Sequence, residues 1–194
     1  AAIKIAIDFV KEGIATKEEM LLKVDPKQLD HLLHKQLDPV AQKEATSIAK
    51  GLPASPGAAV GTVVFTAEEA FNKANEGEKV VLVRIETSPE DIEGMHAAQG
   101  ILTQRGGMTS HAAVVARGMG TCCVAGCGDI SIDYKAKQFT IGTLTIKEGD
   151  YITLDGSTGD IYQDKIPLVE PVVHGDFGEV MGWADKIRKL KVRT

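Results

Sequence analysis

The chain has 194 residues, 43% of them hydrophobic and 25% charged, which describes a globular protein with one good core and some added helices and excludes a disordered chain. Its formal net charge of −5, from 22 basic and 27 acidic side chains, excludes a general nucleic-acid binder, because affinity for a phosphate backbone needs clustered Lys and Arg. No apolar run approaches the roughly 20 residues of a membrane-spanning helix, and the N-terminus lacks the regions of a signal peptide, so a cytoplasmic protein is expected.

Residues 1 to about 50 read as helical. Ile3, Ala6 and Val10 keep an i, i+3, i+7 stripe, Thr16-Lys17-Glu18-Glu19 is a capping box, and Asp25-Pro26 opens a further short helix. The prolines and glycines of Gly51-Leu52-Pro53-Ala54-Ser55-Pro56-Gly57 then mark a domain boundary. Strands are expected at 58–65 and 79–83 with a helix at 67–75 between them. Ser88-Pro89-Glu90-Asp91 caps another helix, and 100–103 is a short strand. Strands follow at 121–124, 138–141, 144–146, 151–154 and 160–162, and a last helix at 177–190. The result is a mixed α/β chain in three parts, 1–52, 53–166 and 167–194, with Pro- and Gly-bearing joints between them.

The most informative segment is Gly106-Gly107-Met108-Thr109-Ser110-His111-Ala112-Ala113-Val114-Val115-Ala116-Arg117. It sets a histidine at the start of an apolar helix, directly after a glycine-led turn. Glycines let backbone approach a ligand closely, and the free N–H groups of a helix's first turn favour an anion. A phosphorylated imidazole is such an anion, and a neutral ring has a lone pair with which to attack phosphorus, so His111 reads as a nucleophile. Thr109 or Ser110 serves as the helix cap. The run from Ala112 to Ala116 leaves no polar face, which predicts a buried helix with His111 at its exposed tip.

The other polar candidates read as structural. His31, His34, His96 and His174 lack a glycine turn or a helix tip, and His31 with His34 has no third metal ligand nearby. Ser110 beside His111 makes no hydrolase pair, because adjacent helical residues point different ways. Glu90 and Asp91 read as capping acids. Cys122, Cys123 and Cys127 read as buried thiols, since adjacent cysteines bridge poorly and no fourth zinc ligand is spaced for them. The basic end, Lys186 to Arg193, reads as a solvated helix face broken by Asp185, Leu190 and Val192.

Gly106, Gly107, Thr109, His111 and the run through Arg117 resemble the phosphohistidine signature of the phosphoenolpyruvate (PEP)-utilising enzymes. Met108, where the PEP synthase and Enzyme I branches usually carry Arg, resembles the pyruvate phosphate dikinase branch. So do Gly118-Met119-Gly120-Thr121-Cys122-Cys123-Val124, Cys127 and Glu86-Thr87-Ser88-Pro89-Glu90-Asp91, while 151–159 is supporting only. The resemblance runs over essentially the whole chain. It implies a swivelling β/β/α phosphohistidine domain at 53–166, flanked by helical linkers. The linker at 1–52 would come from a nucleotide-binding domain, and that at 167–194 would lead to a PEP/pyruvate-binding domain.

The implied reaction interconverts ATP, phosphate and pyruvate with AMP, pyrophosphate and PEP. His111 would carry first a pyrophosphoryl and then a phosphoryl group, with Thr109, Ser110, Gly106, Gly107 and Arg117 in supporting roles. Mg²⁺ would be bound in the partner domains and not by this chain, and the whole enzyme is expected to be a homo-oligomer with no nucleic-acid or membrane partner. Thr109 would also be a regulatory phosphorylation site in plant members, where the protein would reside in a plastid. The chain starts at Ala1, which reads as a piece of a longer protein, and without the partner domains it is expected not to turn over alone. The reading from a different class is a non-catalytic swivelling interaction module in which His111 merely caps and packs.

Overall fold

The computed structural model describes residues 2–25, 29, 33–171 and 175–190. Two compact units divide the chain, one formed by its two ends, 1–33 and 171–194, and one by 34–170. The second unit is wider on both sides than the 53–166 expected for the central domain.

The first unit is helical. Its described elements are α1 (Ala2–Lys11), α2 (Lys17–Lys23) and α7 (Asp176–Ile187). The capping box at the start of α2 is present: Glu19 N–H donates to Thr16 Oγ1 at 3.2 Å, and Thr16 N–H donates to Glu19 Oε2 at 2.8 Å. The Thr16 N–H and the Thr16 hydroxyl, which donates to the same Oε2 at 3.1 Å, hold the Glu19 carboxyl below its ordinary value. Of the stripe on α1, Ala6 is buried and Ile3 and Val10 are half-buried, and Ile7 beside it is buried as well. Ala6 packs with Met20 and Val24, while Ile7 packs with Val180 and Trp183 of α7. The helix foreseen at Asp25-Pro26 lies largely outside the described residues, as do His31, His174 and residues 191–193 of the basic end.

The second unit contains β1 (Gln36–Leu37), α3 (Pro39–Glu44), β2 (Ser47–Lys50), β3 (Leu52–Ser55), β4 (Ala58–Val64) and α4 (Ala67–Asn75). After these come β5 (Val80–Arg84), a 3₁₀ turn (Pro89–Asp91), α5 (Ile92–Ala97), β6 (Gly100–Thr103), α6 (His111–Met119) and β7 (Cys122–Ala125). The rest are β8 (Ser131–Asp133), β9 (Gln138–Ile141), β10 (Leu144–Lys147), β11 (Tyr151–Asp155), β12 (Asp160–Gln163) and β13 (Leu168–Val169).

Eight strands form one mixed sheet in the order β2-β12-β11-β4-β5-β6-β7-β3. The middle run β4-β5-β6-β7 is parallel, because α4, α5 and α6 supply the crossovers that parallel neighbours need. Buried on both faces, β5 is a continuous apolar run whose residues alternate sides. Val80 and Leu82 join Ala70, Met95, Ala112, Ala113 and Ala116 under the helices. Val81 and Val83 join Phe139 and Ile146 of the small sheet β10-β9-β8. The unit is therefore layered as small sheet, large sheet and helices, the expected β/β/α stacking.

Several local expectations are corrected. Residues 1–50 are not wholly helical: Gln36–Leu37 pairs with β13, and Ser47–Lys50 pairs with β12, in each case with residues more than 100 positions away. The expected boundary segment 51–57 contains β3, which pairs with β7 at the sheet edge. Pro53 is tolerated there because an edge strand does not need every N–H. Strand β8 was not foreseen; its three residues make no core pattern and are held by β9.

Candidate functional site

Strands β5 and β6 lie in parallel register with Arg84 opposite Thr103, so the loops leaving their C-terminal ends emerge side by side. The pairing continues beyond the strands, with Gln104 N–H donating to Arg84 O at 3.0 Å and Arg105 N–H to Ile85 O at 2.8 Å. One loop holds Thr87 and the other leads to His111. Thr87 Oγ1 lies 2.9 Å from His111 Nδ1. The threonine is buried and the histidine half-buried, and among the described residues no second hydrogen bond reaches the ring, so Nε2 has no partner there.

The signature loop is built to present that ring at the tip of α6. Ser110 is the cap: its Oγ accepts from Ala113 N–H at 3.5 Å, and its own N–H donates to Gly107 O at 3.0 Å. Thr109 is exposed and does not cap. Arg117 reaches back along the helix, where Nε donates to Ala113 O at 3.1 Å and Nη2 to Met108 O, tying the helix to the loop before it. Gly106 adopts φ +114°, and a Cβ on it would meet Ser110 Oγ at 2.9 Å, so the turn requires glycine. Gly107 has open space around it and no such constraint from the fold.

The expectation that α6 is buried all round is corrected. Ala112, Ala113 and Ala116 face the sheet, while Val114 is 53% exposed and Arg117 lies outward, so α6 covers the sheet with one small-residue stripe only. His96 is exposed and His34 packs near Gly57. Among the described residues no group of three His, Cys, Asp or Glu side chains is arranged to hold a metal ion, and no helix is long and apolar enough to cross a membrane.

Asp91 caps as expected, its Oδ2 accepting from Ser88 N–H at 2.8 Å, but it also pairs with Arg84 at 3.3 Å. Thr87, Arg84 and the turn residue Tyr134 had no assigned role. Thr87 lies inside the 86–91 word that carried part of the resemblance, yet no spacing could show that a hydroxyl 24 residues upstream meets His111.

All three cysteines are free and buried. Burial pushes the Cys123 thiol up to about 12 and raises Cys122 and Cys127 as well, and Cys122 donates through Sγ to Gly57 O at 3.2 Å. The folded chain at pH 8 is therefore expected to react with iodoacetamide at least about 10-fold more slowly than the urea-unfolded chain. Mass spectrometry of the labelled protein would check this.

The family model described as PEP-utilising enzyme, mobile domain, matches residues 76–159. Over its whole length the chain is 61% identical to the pyruvate, phosphate dikinase of Clostridium symbiosum, of which it covers 22%. It is 54% identical to that of Rhizobium meliloti (strain 1021), covering 21% of it. Over 98% of its length it is 56% identical to pyruvate, phosphate dikinase 1, chloroplastic, of Arabidopsis thaliana, covering 20% of that protein. The chain thus spans about a fifth of the length of the curated relatives it matches. A solution structure of Enzyme I (nEIt) shares 24% identity over 55% of this chain and 38% of that one, with a TM-score of 0.33, too slight a likeness to bear on the site.

Proposed function

We propose that His111 is a phosphohistidine carrier, since residues 76–159 match the model described as PEP-utilising enzyme, mobile domain, within a chain that is similar to pyruvate, phosphate dikinases from end to end. The observation that supports this most is the bond from Thr87 to His111 Nδ1, combined with capping of α6 by Ser110 and not by His111. A histidine that merely capped or packed would not need a buried hydroxyl on one nitrogen while the other has no hydrogen-bond partner among the described residues.

In this reading the Nδ1–H tautomer donates to Thr87 Oγ1 and the Nε2 lone pair attacks phosphorus. The N–P bond forms as the P–O bond to the leaving group breaks, and the ring becomes positively charged with its Nδ1–H still held by Thr87. The first-turn N–H groups of α6 favour the transferred anion. Thr87→Val removes the acceptor when the ring charges. Loss of a hydrogen bond to a charged group, about 1.5–3 kcal/mol, predicts a fall of roughly 10- to 100-fold in single-turnover phosphorylation of His111, with the chain still folded.

The whole enzyme would be a pyruvate phosphate dikinase. ATP transfers a pyrophosphoryl group to His111 and leaves AMP, inorganic phosphate removes the terminal phosphoryl as pyrophosphate, and pyruvate takes the remaining phosphoryl to become PEP. Mg²⁺ in the nucleotide- and PEP-binding partner domains would offset phosphate charge. Unit 34–170 would swivel between those domains on the passages near 33–34 and 170–171. Thr109, exposed two residues before His111, is accessible for regulatory phosphorylation, and a dianion there would repel an incoming phosphate. The test is intact-mass and phosphopeptide analysis after supplying the chain with PEP, the PEP-binding domain and Mg²⁺. Base-stable, acid-labile phosphate on His111 is the expected result, and its absence from a folded chain overturns the reading. Acid-stable phosphate on Thr109 after treatment with a kinase and ATP would mark the regulatory event separately.

A further inference from the structure

The loop that carries Thr87 is anchored from the far side of the large sheet. Tyr134 opens the turn between β8 and β9, and its hydroxyl accepts the Ile85 N–H at 2.8 Å. Its ring stands edge-on to Phe65, with centroids 6.4 Å apart at 81°. The Arg84 guanidinium lies over the face of the same ring, 5.3 Å from the centroid. Arg84 also donates from Nη1 to Phe65 O at 3.2 Å and pairs through Nη2 with Asp91 Oδ1 at 3.3 Å. Asp91, only 5% exposed, accepts the Ser88 N–H at 2.8 Å and the Ser88 hydroxyl at 3.3 Å.

The amide two residues before Thr87 and the amide one residue after it are thus both pinned, by side chains from different layers. Capping of the 3₁₀ turn alone would require only the Asp91–Ser88 bonds. Tyr134 is 38% exposed, so it is not core filler either. Its hydroxyl spends its contact on Ile85, next to the place where the Thr87 loop leaves β5.

We propose that Tyr134, Arg84 and Asp91 are positioning residues that act through Thr87 to fix which ring nitrogen His111 presents. What that nitrogen does rests on the carrier reading above; that the three residues set its orientation does not. Tyr134→Phe keeps the ring against Arg84 and Phe65 and removes only the acceptor, so the variant folds.

The test is a double-mutant cycle of Tyr134→Phe and Thr87→Val in the 194-residue chain. The tautomer ratio of His111 is read from its ring ¹⁵N resonances at one fixed pH. Each single variant should lower the ratio of the Nδ1–H to the Nε2–H tautomer by roughly fivefold, the factor expected of one lost neutral hydrogen bond. The double variant should be no worse than Thr87→Val, because residues acting through one another are not additive. The rate of phosphate transfer to His111, with PEP and the PEP-binding domain supplied, should follow the same pattern. An unchanged ratio in folded Tyr134→Phe, or strictly additive effects, overturns the positioning role. If the wild type accepts no phosphate, the carrier reading fails while the tautomer cycle still decides this one.

Discussion

Replacing His111 by alanine is expected to abolish acid-labile phosphorylation of the chain while leaving it folded. In the carrier reading His111 supplies the bond through which the group passes in all three transfers, and among the described residues no neighbour is placed to stand in for it: Ser110 Oγ is occupied in capping, and Thr87 is buried. Removal of a nucleophile costs roughly four or more orders of magnitude in rate. The structural cost is small by comparison. Alanine is the best helix former, α6 keeps its Ser110 cap, and the only described hydrogen bond lost is that to Thr87, worth about 1 kcal/mol. Intact mass after incubation with phosphate donors, beside circular dichroism of the same sample, checks both halves. Persistent acid-labile phosphate in His111→Ala would place the carrier elsewhere.

Gly126→Ala should produce the largest structural effect at the site, although it lies in neither the signature loop nor its helix. Gly126 follows β7 at φ +62°, and a Cβ there would sit 2.2 Å from the Gly106 carbonyl oxygen, far inside contact distance. The Gly126 N–H also donates to the buried Thr103 hydroxyl at 3.3 Å, so the residue cannot simply retreat. The signature loop must move instead, carrying Ser110 and the start of α6 with it. Overpacking of about 1–3 kcal/mol adds to about 1–2 kcal/mol for left-handed backbone on alanine. A chain of this size should then melt roughly 5–15 °C lower, and transfer to His111 should fall at least about 10-fold. Gly128→Ala is the control, since a Cβ there meets nothing within 4 Å, and it should melt within about 2 °C of wild type. Equal melting temperatures for the two variants would show that the contact between the turn after β7 and the signature loop is not needed.

Much of this architecture was legible as local pattern. Strands β4, β5, β6, β9, β10, β11 and β12 and helices α4 and α6 fall within a residue or two of their expected positions, because each is an apolar run bounded by glycine, proline or a capping residue. The strands that sequence pattern does not mark, β1, β2, β3, β8 and β13, are two to four residues long and have no core pattern of their own. They are strands only because a partner completes their hydrogen bonds, distant in the chain for β1, β2, β3 and β13 and the next strand for β8. The all-buried reading of α6 erred for a related reason. Periodicity counts apolar side chains, but only the sheet beneath decides that Ala112, Ala113 and Ala116 are covered and Val114 is not.

The site divides in the same way. The linear segment from Gly106 to Arg117 is enough to single out His111 as the candidate nucleophile, because a glycine turn, a cap and a helix start are contiguous and each is set by local backbone preference. Which nitrogen of that histidine is free, and what holds the ring, belongs to tertiary structure alone. Thr87 reaches Nδ1 because parallel β5 and β6 bring two loops to one edge, and Tyr134 reaches Ile85 because the small sheet packs on the large one. Such contacts join residues 24 and 49 positions apart, separations at which chain connectivity imposes no proximity and only the packing of layers does.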